Sequence, residues 1–226
     1  MQTTPLETES NDALITSEQS PPQSARATSR RRLAVTRVQI LILVGTLIFA
    51  VSHFFLWWEL RLNAPQFPGG LFIQATSYEI QDSPKTPFDD IDQVDGLNHY
   101  IGMMSLGDAA KFEMSIAIPA IVIFIAMGIA AAFWRNRRAP LLTIPIVLYP
   151  LIYFVDLTYW LWYAGHHLDD MAAITIDPFT PRVFGTGVIA QFSTDAIFRE
   201  GWYLAIVAGI LCIIAIVLSA KRGKHA

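Results

Sequence analysis

The chain has 226 residues, 53% of them hydrophobic and 15% charged, with a formal net charge of −3 and a mean hydropathy of +0.41. Soluble domains carry about a quarter charged residues, so this composition points to the membrane class. The single cysteine, Cys212, sits in an apolar run and reads as a small hydrophobe. It excludes an intramolecular disulfide framework and any CxxC metal or redox motif.

Residues 1–36 are rich in Thr, Ser, Gln, Glu and Pro and include Pro21-Pro22. That composition predicts a disordered tail. It ends in Ser29-Arg30-Arg31-Arg32, ahead of an apolar run that closes on Trp57-Trp58-Glu59 without a small-x-small cleavage site. The run therefore reads as an uncleaved anchor. Four stretches reach the roughly 20 apolar residues of a spanning helix: 38–58, 112–134, 141–164 and 202–220. Pro119, Pro145 and Pro150 predict kinks in the second and third. The fold expected is an all-α membrane protein with four transmembrane helices over 37–220, between the tail 1–36 and a short tail 221–226.

Lys and Arg near the ends of these stretches orient them. Arg30, Arg31, Arg32 and Arg37 precede the first, Arg135, Arg137 and Arg138 fill the link between the second and third, and Lys221, Arg222 and Lys224 follow the fourth. With four crossings all three clusters face one side. Both termini are thus expected in the cytoplasm, with the bacterial inner membrane as the location. The basic residues are accounted for by topology and lipid, not by nucleic acid.

Residues 59–111 and 165–201 then lie outside. Loops of that length are usually functional. Leu71 to Tyr78 has strand-like composition after the turn signal Pro68-Gly69-Gly70. Asp82, Asp89, Asp90, Asp92 and Asp95 form an acidic turn region. The two loops are expected to make a small extracytoplasmic cap, with room for one β-hairpin.

Four of the five histidines and four of the six methionines fall on or near this outer side. In the first loop His99 precedes Met103 and Met104, and if that stretch is helical His99 and Met103 share a face. Glu113-Met114 open the second span. In the second loop His166 and His167 precede Asp169, Asp170 and Met171. Imidazole with thioether is the ligand set that selects copper, above all Cu(I). The candidate metal ligands are therefore His99, Met103, Met104, His166 and His167. Met103, Met104 and Met114 also suit simple gap filling, and His166-His167 suit an interfacial position.

Deeper in the membrane, His53 lies in the outer third of the first span. Asp156 lies nine residues before Gly165, about 13 Å deep at 1.5 Å per residue. Ionisable groups at such depth are normally paired. A His53–Asp156 contact would orient a metal-bound imidazole or fix helix packing. Tyr153, Tyr159, Trp160, Trp162 and Tyr163 surround Asp156 in sequence as donors. No GxSxG or catalytic cysteine is present, and Asp169-Asp170 point apart, so an autonomous enzyme is not expected.

Pro65-Gln66-Phe67-Pro68-Gly69-Gly70-Leu71 with Val94-Asp95-Gly96-Leu97-Asn98-His99-Tyr100-Ile101-Gly102-Met103 form one half of a signature. Tyr163-Ala164-Gly165-His166-His167-Leu168-Asp169 with Pro178-Phe179-Thr180-Pro181 and Ile189-Ala190-Gln191-Phe192 form the other. Over residues 37–220 the chain resembles a poorly characterised group of multi-pass bacterial membrane proteins associated with copper-dependent respiratory systems, notably accessory proteins of nitrous oxide reductase. The resemblance points to His99, Met103 and His166 and offers no counterpart for His167 or Met104. The function expected is copper handling or cuproenzyme maturation, with copper as cofactor and a periplasmic cuproprotein as partner. The alternative is a metal-free scaffold subunit of a respiratory or transport membrane complex. A solute transporter comes third, because four helices without repeats are few.

Overall fold

The computed structural model describes residues 37–87, 89–134, 136–189 and 192–222; the expected tail 1–36 and the last four residues lie outside them. α1 (Arg37–Ser52) is apolar on every face, as suits a helix touching both lipid and neighbours. It stops where side chains take over its terminal carbonyls. Ser52 Oγ donates to Phe49 O at 2.7 Å, and the Trp57 indole donates to Ser52 O at 3.0 Å. The chain then enters β1 (Trp58–Ala64), where Trp58, Leu60, Leu62 and Ala64 are buried on alternate positions. The expected first span 38–58 is thus corrected: its last third is a turn and the start of a strand. At 1.5 Å per residue the 16-residue helix is about 24 Å long.

Pro65-Gln66 make the turn into β2 (Phe67–Ala75), followed by β3 (Ile80–Asp82) and α2 (Asp90–Tyr100), capped by the Asp89 side chain on Asp92 N. Pro68-Gly69-Gly70 therefore sit inside a strand and not at a turn. Gly70 has φ +78° opposite an irregularity in the β1 register. A Cβ there would lie 2.7 Å from Arg61 Nε. α3 (Lys111–Phe133), a 3-10 turn (Ala139–Thr143) and α4 (Ile144–His166) follow. β4 (Gly185–Ile189) and β5 (Phe192–Phe198) lead into α5 (Glu200–Arg222).

All five strands form one antiparallel sheet in the order β3-β2-β1-β5-β4. The expectation of an all-α protein with a cap of loops and room for a single hairpin is overturned: the described residues form five helices and a five-stranded sheet built from both outer segments. Trp58, Leu60, Leu62, Leu71, Ile73, Ala196 and Phe198 face inward as one apolar layer, packed with Val94 of α2 and with Tyr153, Leu157 and Leu161 of α4.

Among the described residues, three helical stretches are long and apolar enough to cross a membrane: Lys111–Phe133, Ala139–His166 and Glu200–Lys221. α1 packs between α3 and α5, and α4 packs on α5, while α3 and α4 barely meet. Small residues allow the close approaches: Gly45 faces Cys212 and Ala208, and Gly128 faces Thr46. The helices thus form an open row α3-α1-α5-α4, with a cleft between its two ends.

Candidate ligand-binding site

The cleft continues under the sheet as a cavity of about 360 Å³. Three surfaces supply its wall, each a stripe set by the local period. Leu60, Leu62 and Ile73 come from the inner face of the sheet, Glu113, Ala117, Ala120 and Phe124 recur along α3, and Tyr149, Tyr153, Asp156, Trp160 and Ala164 recur along α4. α2 closes the outer end with Val94, Leu97 and Asn98.

The wall is mostly apolar, yet several polar atoms in it are buried without a hydrogen-bond partner: Asn98 Nδ2, Glu113 Oε2, Tyr153 OH and Trp160 Nε1. Trp160 Nε1 sits beside the Asp156 carboxylate without closing a hydrogen bond of good geometry. Such orphaned groups cost about 1–3 kcal/mol each, and a site that lacks internal partners for several of them suits a ligand that supplies those partners. Glu113 is the third residue of α3, and Trp160 lies within two turns of the end of α4. The orphaned atoms therefore gather at the sheet end, and the apolar walls run away from them between the helices. No Lys, Arg or His is among the described wall residues.

The residues singled out as copper ligands divide. α2 ends at Tyr100 and Gly102 takes φ +76°, so His99 and Met103 share no helical face. Met103 and Met104 line the cavity with Met114, whereas His99 is exposed. His166 and His167 are exposed at the end of α4, each with Nδ1 on a carbonyl one turn back, Trp162 O at 2.9 Å and Tyr163 O at 3.0 Å. They stack on those same two rings. Met171 is 90% exposed. The two segments do adjoin: Asp169 N donates to Gly102 O and Ile174 N to Tyr100 O, both at 2.9 Å. Among the described residues no group of three or more His, Cys, Asp or Glu is arranged to hold a metal ion.

His53 meets Ser77 Oγ at 2.6 Å, where a contact with Asp156 was expected. It lies in the turn beyond α1, stacked on Trp57 and edge-on to Phe49 and Tyr149. Burial with no counter-charge pulls its pKa down to about 4, so the imidazole is neutral. The acidic turn region is structural: Asp90 is fully buried, accepting from Thr86 Oγ1 and Phe72 N, and Asp95 accepts from Leu106 N.

Sequence reasoning missed Asn98 as a wall residue; its signal was the Val94–Asn98 spacing on the buried side of α2. It also missed Glu59, which is buried against Gln74 and Lys85 and approached by Arg199. Comparison with known protein families, characterised proteins and solved structures finds no match to this chain.

Proposed function

We propose that this protein is a multi-pass inner-membrane protein that binds an amphipathic, lipid-like molecule in the cleft between α3 and α4, beneath the sheet. α1, shorter than the three candidate spans, packs beside α5. The sheet lies on the outer side, because Arg37, Arg137, Arg138 and Lys221 all belong to the opposite end. The observation that carries the reading is the cavity itself, an apolar trough open between two membrane helices with orphaned polar atoms gathered at one end. A head group would meet Asn98, Glu113 and Trp160, and a tail would run along Ala117, Ala120 and Phe124. Such a ligand enters sideways from the bilayer and needs no aqueous path.

The test is retention of ligand through purification. Washed wild-type protein should release an alkyl-chain compound in a ratio near one per chain, detected by mass spectrometry. Ala120→Phe, which fills the trough, should release a small fraction of that. Equal release from both proteins would overturn the proposal.

A second reading, copper handling in the service of a cuproprotein, is favoured by the two backbone hydrogen bonds that set residues 100–102 against 169–174. With Nδ1 of His166 and His167 committed to the helix, a metal would be held through Nε2, with Met103 or Met104 as thioether partner. Metal analysis of wild type, His99→Ala and His166→Ala decides it; equal copper in all three excludes this reading.

A further inference from the structure

We propose that the head of the bound amphipath is positively charged: the cavity takes a long-chain amine with a neighbouring oxygen, its ammonium between Glu113 and Asp156 and its oxygen on Asn98. This rests on the cavity being an amphipath site.

Glu113 on α3 and Asp156 on α4 face the cavity from opposite helices and lie close enough to act on each other electrostatically. Two carboxylates in an apolar wall repel, and each loses hydration there. A protein normally answers with a Lys, Arg or His, yet none is among the described wall residues. Lys85 and Arg199 are engaged with Glu59 and Glu200 on the far side of the sheet, and Lys111 with Asp108. Glu113 Oε2 is buried without a partner. A cationic head group would supply the compensating positive charge. Trp160 and Tyr153 line the same cavity, and aromatic rings favour a neighbouring ammonium.

Asn98 is an independent indication. It is 7% exposed, lines the cavity, and its Nδ2 donor has no partner. A donor left over at the head-group end calls for an oxygen acceptor on the ligand. An amino alcohol or amino ester with one alkyl tail meets all three groups, and an anionic head would face uncompensated carboxylates.

The test uses full-length protein in phosphatidylcholine nanodiscs, with sphinganine and N-acetylsphinganine as probes, because acetylation removes the charge and keeps the chain and hydroxyls. Binding is corrected for partition into empty nanodiscs. Wild type should bind sphinganine at least about tenfold more tightly, a difference of about 1.4 kcal/mol. The Glu113→Gln/Asp156→Asn double variant should bring the ratio near one, with a wild-type circular dichroism spectrum showing that it is folded. Asn98→Leu should weaken both probes alike. Equal wild-type binding of the two, or an unchanged ratio in the double variant, overturns the charge assignment and leaves the cavity reading standing. Binding of neither overturns both.

Discussion

Glu59 holds three parts of the molecule at one point. Its carboxylate, nearly inaccessible to solvent, accepts from Gln74 Nε2 at 2.7 Å and Lys85 Nζ at 2.8 Å, and Arg199 Nη1 stands 3.5 Å away. Removing it leaves Lys85 and the Gln74 amide without this acceptor, while Arg199 keeps Glu200. Glu59→Ala should destabilise by about 2 kcal/mol and Glu59→Gln by less, read as the shift in thermal unfolding of the purified protein. His53 gives a pH dependence at the same scale. Its pKa falls from an ordinary 6.5 to about 4 on folding, so between these values the unfolded chain binds the extra proton. The stability it contributes is fully present above pH 6.5 and is lost as pH drops towards 4. His53→Phe should flatten the fall in unfolding temperature over that window. An unchanged slope would show that other groups cause it.

The junction between α1 and β1 shows what can and cannot be read from the residues. Trp57-Trp58-Glu59 has the composition of a helix end at a membrane interface, and local pattern alone supports that reading. What overrules it is tertiary. Trp57 is fully buried, its backbone N–H donates to Ala75 O and its carbonyl accepts from Arg199 N. These partners lie 18 and 142 residues away in sequence, beyond any window. The alternation from Trp58 to Ala64 has a period of two, but it follows directly on a long, mostly apolar run that masks it. β4 and β5 carry weaker signals, since the exposed β4 edge alternates half-buried with exposed residues. The apolar stretches that became α3, α4 and α5 were legible because length and hydropathy are local. The cavity was half legible: Asp156 and its aromatic neighbours were visible, but their meeting with Glu113 and Asn98 depends on the sheet. Trp57→Ala tests the junction as an element. It removes the cap on Ser52 O and empties the space beneath Gly201, so a loss on the order of 3–5 kcal/mol is expected. Loss of strand signal in circular dichroism should accompany it, because β1 is the central strand.

For the whole molecule the decisive property is which side each end of the bundle faces. α1 and α4 run towards the sheet and α3 and α5 run away from it, so the sheet and the basic turn at 136–143 must lie at opposite ends. The proposed hand rests on the charges: Arg137 and Arg138 stand at that turn, and Asp169 and Asp170 follow the other end of α4. Cys212 is buried and should not react with water-soluble thiol reagents, so single cysteines can report each side against a clean background. Met171→Cys, at a position 90% exposed just beyond the end of α4, should react with an impermeant maleimide in intact spheroplasts. Asn136→Cys, exposed at the basic turn, should react only after the membrane is opened. The reverse pattern would put the sheet in the cytoplasm, and the cleft would then receive its ligand's head group from the inner leaflet. Labelling of both positions in intact spheroplasts would break the link between the two ends that the α3–α4 hairpin requires.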